Sequence, residues 1–249
     1  MVSEAKSLKD DSVRVLFIGN SFTYYHDMPK MVKSLADSID GTDKMKLSIK
    51  MMAPGGWSFE KHLGSKEEMD VVKKGCWNYV VLQEQSAKPC YPTQRVSADT
   101  YHYAHIIDSI VKRYNPHAKV IFYMTWGHKN GCQEPLKGYP LIDSYLGMQQ
   151  RLITSYLEMA YANDDMCAPV GMAWKKVRAD RQDLNLYWPD GSHPSELGSY
   201  LAANVIFCTI LQKPYLSTFL GKQEASTAIY LQLLAQQTVL SNRKLLNLK

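Results

Sequence analysis

Short apolar runs alternate with longer amphipathic ones along nearly the whole chain, and this alternation restricts the fold more than any other feature. The runs predict strands over 13–18, 46–52, 77–82, 119–124 and 167–170. The third is almost continuously apolar (Trp77, Tyr79, Val80, Val81, Leu82) between Gly75 and Gln83, the pattern of a strand buried on both faces. Helices are predicted over 27–39, 97–114, 142–162, 195–211 and 225–246; the first places Met31, Val32, Leu35 and Ile39 on one face. Strands alternating with helices imply βαβ units, hence an α/β fold with a five-stranded parallel sheet covered on both faces. With 249 residues and no Pro/Gly/Ser-rich linker, the chain suits one domain over 13–249 after a flexible segment over 1–12.

Composition removes several function classes. The net charge is +5, but the basic residues are scattered, and Asn242-Arg243-Lys244 reads as a solvated helix end, so no nucleic-acid partner is expected. No stretch approaches the roughly 20 apolar residues of a membrane span. Residues 1–11 are polar and charged, unlike the apolar core of a leader; the expectation is a secreted or periplasmic protein if a leader has been removed, and a cytoplasmic one otherwise. The five cysteines form no C-x-x-C pair. Cys76, Cys167 and Cys208 read as buried small hydrophobes, whereas Cys90 and Cys132 lie in loops where they could pair.

Open parallel sheets bind ligands outside the carboxyl ends of their strands. Here those ends are 19–23, 53–58, 83–86 and 125–128. The first carries Gly19-Asn20-Ser21, a turn that presents a hydroxyl. A serine nucleophile needs a base within hydrogen-bond reach, and the base needs an orienting partner. Asp190-Gly191-Ser192-His193-Pro194 supplies a carboxylate and an imidazole three residues apart, anchored by the helix that follows. Each residue also has a plain structural use: Ser21 can cap a helix, and so can Asp190 with His193 merely exposed. A strand-Gly-x-Ser turn can also hold phosphate at a helix N-terminus, but neither G-x-G-x-x-G nor a G-K-[ST] ending is present.

A tetrahedral oxyanion needs donors. The Ser21 N–H is one candidate, and Gly55-Gly56 offers backbone that can approach a ligand closely, or a simple turn after Pro54. Gln83 and Gln85 each carry a side-chain amide, and strand register decides which faces the site. His102, His105 and Asp108 recur at three-residue spacing and could ligate a metal, but they lie off the Ile107 face and read as a solvated surface. Asn20, Trp57, Trp126 and Trp188 are candidates for contacting substrate; Tyr91 and Tyr187 carry the same ambiguity between site and core.

The arrangement resembles the SGNH (GDSL-like) hydrolases, a family of esterases, lipases and deacetylases. Their strand ending in Gly-Asp-Ser matches Gly19-Asn20-Ser21, with asparagine for aspartate. Their oxyanion glycine after the second strand matches Gly55-Gly56-Trp57-Ser58, at Gly56, and their final Asp-x-x-His matches Asp190 to His193. The third block departs: Gly-x-Asn-Asp is replaced by Gln83-Glu84-Gln85-Ser86, where Gln85, or failing that Gln83, can supply the amide. The resemblance spans residues 13 to about 205. It implies a flavodoxin-like three-layer α/β/α fold, Ser21 as nucleophile, His193 as base, Asp190 as its orienter, and no metal or cofactor. Its divergent branch points to a carbohydrate ester, with removal of acetyl or another small acyl group. The absence of a long apolar lid segment argues against a lipase. Two other readings use the same residues: a carbohydrate-binding protein that kept the fold without turnover, and an acyltransferase to sugar hydroxyls.

Overall fold

The computed structural model describes residues 12–39 and 44–248; apart from Ser12, the expected flexible segment over 1–12 lies outside them. Five strands form one sheet: β1 (Val13–Ile18), β2 (Leu47–Met52), β3 (Tyr79–Leu82), β4 (Lys119–Tyr123) and β5 (Met166–Ala168). Their order is β2-β1-β3-β4-β5, and every neighbouring pair is parallel. The register levels the carboxyl ends: Ile18 pairs with Met52 and with Leu82, and Leu82 pairs with Phe122. The four segments expected to carry chemistry therefore leave the sheet along one edge.

Side-chain alternation along the strands makes two cores. On one face, Val15 and Phe17 of β1, Val81 of β3 and Ile121 and Tyr123 of β4 join one buried cluster. On the other, Leu16, Ile18, Val80, Leu82, Val120 and Phe122 join a second. After β1 come α1 (Ser21–Tyr24) and α2 (Met28–Asp37). After β2 come α3 (Phe59–Gly64) and α4 (Lys66–Val72). After β3 come α5 (Thr93–Val96) and α6 (His102–Tyr114), joined by a single π turn. Then follow α7 (Tyr145–Ala162), α8 (Val170–Asp180), α9 (Glu196–Leu211) and α10 (Ala225–Leu240). Apolar residues of α2, α8, α9 and α10 cover the first face, and those of α3, α4, α6 and α7 the second. The result is the expected three-layer α/β arrangement.

The differences from the sequence reading have local causes. The apolar run over 167–170 splits at Pro169, which has no N–H for the sheet and instead stands at the N-cap of α8. The short α3 and α4 were not expected; they meet at Ser65, whose hydroxyl accepts from the Glu68 N–H to start α4. The regular helix predicted to reach residue 246 ends at Leu240. His102 and His105 are exposed, but Asp108 is not part of a solvated face: it turns inward beside Ile107, 4% exposed, and pairs with Lys112 at 3.0 Å. All five cysteines are free thiols, with Cys90 and Cys132 side by side and buried.

Candidate active site

The chain leaves β1 through a turn that only glycine can begin. A Cβ on Gly19 would stand 2.7 Å from Gln83 Oε1 and collide with Thr23. Asn20 follows as N-cap of α1, its Oδ1 accepting from the Phe22 N–H at 3.1 Å. Its Nδ2 donates to the Trp57 carbonyl at 2.9 Å, so one side chain fastens the α1 turn to the Gly55–Trp57 loop. Only an amide can both accept from Phe22 and donate to Trp57, which fits asparagine at the place where the resembled Gly-Asp-Ser block has aspartate. Asn20 is 2% exposed and lines the cleft beside Ser21. Behind the turn, His62 is fully buried, bonded to Glu68 on one side and donating to the Gly19 carbonyl at 2.9 Å on the other.

Ser21 opens α1, where backbone N–H groups have no partner within the helix. Its Oγ lies 2.9 Å from His193 Nε2, and His193 Nδ1 lies 2.6 Å from Asp190 Oδ2. Asp190 Oδ1 also accepts from the Ser192 and His193 N–H groups, both at 2.9 Å, which fixes the carboxylate relative to the ring. Partial burial pushes the Asp190 carboxyl up, but these N–H donors and the neighbouring imidazole outweigh it and hold it below the ordinary range. Gly191, at φ +71°, lets the turn close and accepts the Lys129 N–H on its carbonyl at 2.7 Å. Ser195, the N-cap of α9, accepts from Gly198 and so anchors the turn on that helix. The three groups expected to act together, 172 residues apart at the extremes, are brought into one hydrogen-bonded line.

The residues that hold His193 were not read from the sequence. Tyr25 stacks on its ring at 4.4 Å between centroids, and Phe22 meets it edge-on at 5.6 Å. Tyr25 is delivered by a turn in which His26 (φ 54°) and Asp27 (φ 52°) both occupy the left-handed region, costly for residues other than glycine. His26 Nε2 lies 3.2 Å from the Pro194 carbonyl, which secures that turn to the segment after His193. Gln133 donates from Nε2 to the Asp190 carbonyl at 2.7 Å. A tyrosine four residues beyond a serine carries no signal of such a role.

The divergent third block divides its work among three side chains. Gln83 is fully buried, and its Oε1 accepts from the Asn20 N–H and from Thr23 Oγ1, both at 2.9 Å. A backbone N–H can only donate, so the Gln83 amide is fixed with its nitrogen turned to the Glu84 carbonyl, away from the cleft. Glu84, also fully buried, accepts from the Phe59 N–H at 3.1 Å and the Gln85 N–H at 2.6 Å through Oε1. Burial is the dominant influence on its carboxyl, raising it to about 7 against these hydrogen bonds. Gln85 Oε1 accepts from the Ala87 and Lys88 N–H groups, which leaves its amide nitrogen free of protein acceptors among the described residues.

Ser21 and His193 face a cleft of about 400 Å³ that is also lined by Gly55, Gly56, Gln85 and His128. Gly56 takes φ +69° with nothing within 4 Å of the site of a Cβ, so its backbone is open to a ligand. The aromatic candidates divide. Trp126 is completely buried, stacked between Phe22 (4.6 Å) and Trp174 (3.9 Å), with Nε1 donating to Ser192. It is core, and supports the His193 turn from below. Tyr91 and Tyr187 are also buried, whereas Trp188 is 48% exposed beside His26. Trp57 packs edge-on against His62 at 5.3 Å. A separate cleft of about 490 Å³ along the outer edge of β2 is lined by Lys30, Lys33 and Met51 among others, away from Ser21. Among the described residues no cluster of three or more His, Cys, Asp or Glu is arranged to hold a metal ion, and no helix is long and apolar enough to cross a membrane.

No protein-family model matches the chain, and no curated protein matches it in sequence. Solved structures do. A protein from Slackia heliotrinireducens described as an SGNH hydrolase is 27% identical, with a TM-score of 0.64 over 80% of this chain and 99% of that one. A DUF4886 family protein from Bacteroides uniformis is 17% identical, with a TM-score of 0.65 over 92% of this chain and 95% of that one. A variant of Axe2, an acetyl-xylooligosaccharide esterase from Geobacillus stearothermophilus, is 15% identical, with a TM-score of 0.58 over 83% of this chain and 97% of that one. The last two likenesses concern the fold; the first extends to sequence over nearly the whole of its relative. With the sheet order and the motif spacing, these likenesses support membership of the SGNH hydrolase family.

Proposed function

We propose that this protein is a serine carboxylester hydrolase that removes acetyl or another small acyl group from a carbohydrate. The observation that carries the reading is the unbroken hydrogen-bonded line from Asp190 through His193 to Ser21, opening on a cleft. In this mechanism Ser21 Oγ attacks the ester carbonyl and His193 Nε2 takes the hydroxyl proton. Asp190 accepts from Nδ1, holds the ring in the tautomer that leaves Nε2 free, and stabilises the imidazolium. The tetrahedral oxyanion receives hydrogen bonds from the Ser21 and Gly56 N–H groups and from Gln85 Nε2. His193 then returns the proton to the leaving alcohol, and water, activated by the same imidazole, releases the acid. Because Asp190 is held below the ordinary carboxylate range, it stays ionised through mildly acid pH, and an acid limb of the rate does not come from it.

The carbohydrate half of the reading rests on the cleft lining and on likeness. Tyr24, Tyr25, Gln85, Ser86, Gln133 and Glu134 make a wall of hydrogen-bonding groups that suits a hydroxyl-rich alcohol better than an acyl chain. A structural relative is an acetyl-xylooligosaccharide esterase. The test is hydrolysis of p-nitrophenyl acetate and of an acetylated xylose by the wild type and by Ser21→Ala. Turnover of the sugar ester that Ser21→Ala reduces at least 10³-fold supports the whole reading. Equal turnover by the two proteins would sink the assignment of Ser21.

A further inference from the structure

One side chain in the cleft has a hydrogen-bonding group with no use in the fold. His128 follows β4, is 3% exposed, and lines the cleft together with Ser21 and His193. Its Nδ1 accepts the Gln133 N–H at 3.3 Å. A backbone amide can only donate, so a neutral ring must carry its proton on Nε2. Nε2 is buried and has no partner among the described residues. Burial first, and the neighbouring His193 second, push the imidazole down to about 4, so at neutral pH it is uncharged and Nε2–H is a single, fixed donor. Supporting the 128–133 loop needs only the Nδ1 acceptor; the buried donor is then a standing cost unless something fills it.

Its position indicates what fills it. The Phe22 ring meets both imidazoles edge-on, His193 at 5.6 Å and His128 at 6.4 Å between centroids. Gly56 leaves β2, at the opposite edge of the sheet, with β1 and β3 between β2 and β4. In the reaction proposed above, the acyl oxygen lies toward Gly56, and the leaving oxygen lies by His193 Nε2, which must reprotonate it. The alcohol half of the ester therefore extends along the His193 side, past His128.

Resting on the esterase reading, we propose that His128 is a specificity residue whose Nε2–H donates to a hydroxyl oxygen of the alcohol, close to the ester, so that the preferred substrates are acyl esters of polyhydroxylated alcohols. The experiment compares kcat/KM for an acetylated methyl xyloside with that for the analogue lacking the hydroxyl next to the ester. In the wild type the ratio is expected to be tenfold or more. In His128→Phe, which keeps a flat ring without the donor, it falls to about one; in His128→Gln, whose amide can still accept from Gln133 and donate to substrate, it is partly restored. A merely structural role would lower both rates and leave the ratio unchanged, overturning the proposal. A wild-type ratio near one overturns it without any variant, even if both esters turn over and the hydrolase reading stands. Absence of turnover on either xyloside and on p-nitrophenyl acetate overturns both readings together.

Discussion

Glu84 offers a prediction whose size follows from its surroundings. It is wholly buried, its Oε1 holds two backbone N–H groups, and its Oε2 has no partner among the described residues. Burial raises the carboxyl from an ordinary 4.5 to about 7. An acid whose folded value is raised keeps its proton longer in the native state than in the unfolded one. Between those two values the native protein binds more protons, so stability falls as pH rises; the contribution is complete below 4.5 and gone above 7. At about 1.4 kcal/mol for each pH unit, the loss is about 3 kcal/mol. Glu84→Gln keeps an acceptor oxygen for the Phe59 and Gln85 N–H groups and cannot ionise. Its new N–H₂ beside the unpartnered position adds an offset that does not vary with pH. The stability of the variant relative to wild type should therefore improve by about 3 kcal/mol from pH 4.5 to pH 7.5, or about 6–12 °C in Tm for a chain of this length. Urea denaturation at closely spaced pH values in this range is the assay. A difference constant to within about 0.5 kcal/mol across the range would refute the linkage and, with it, the claim that Glu84 is ionised only at a cost in the folded protein.

Two further outcomes separate structural from chemical roles in the same neighbourhood. Gln85→Ala should lower kcat about 10²–10³-fold while changing unfolding less than Gln83→Ala does. Gln83→Ala leaves the buried Asn20 N–H and Thr23 hydroxyl without their acceptor and should destabilise the fold by about 2–4 kcal/mol in denaturant titrations. Indistinguishable effects of the two substitutions on kcat and on stability would show that the division of labour is wrong. Asn20→Asp, which restores the residue common in the family, should destabilise this protein by about 1–3 kcal/mol, since a carboxylate would replace the donor facing the Trp57 carbonyl. A melting temperature equal to or above that of the wild type would contradict that account.

The parts of the fold legible in the sequence were those written in strong local patterns. A strand buried on both faces is apolar along its buried length, so β3 stood out, and the turns that bring Ser21, Asp190 and His193 into one hydrogen-bonded line were legible as short motifs at fixed spacing. What escaped depends on contacts between distant segments. Trp126 and Trp188 look alike in the sequence, yet one is sealed between Phe22 and Trp174 and donates to the Ser192 carbonyl, whereas the other is half exposed beside Tyr25 and His26. Asp108 appeared to continue the His102 and His105 face; only the fold brings Lys112 and Asp165 to it. His128 and Tyr25 gain their meaning from Gln133 and His193, 5 and 168 residues away, and no spacing rule connects them.

The departure from Gly-x-Asn-Asp has a physical logic that the motif alone conceals. Successive residues at the end of a strand point to opposite sides. Gln83 is directed into the turn that presents Ser21, Glu84 toward the loop that carries Gly56, and Gln85 to the cleft. A glycine in the place of Gln83 would leave the Asn20 N–H buried and unpaired. Conversely, any side chain at Gly19 would stand within 2.7 Å of the Gln83 oxygen that holds that N–H. The first and third blocks meet at this point: Gly19 is required because Thr23 Oγ1 and, at 2.7 Å, the Gln83 oxygen fill the space its side chain would need, and Asn20 holds the Gly55–Trp57 loop from the same turn. Exchanging the third block removes the acceptor of the Asn20 backbone N–H whichever side chain stands at 20, and Asn20→Asp separately removes the donor to the Trp57 carbonyl, so the costs of the two exchanges should add. Denaturation of the two single-block exchanges and of the double exchange tests this, and a coupling above about 0.5 kcal/mol would show that the blocks are linked beyond these contacts.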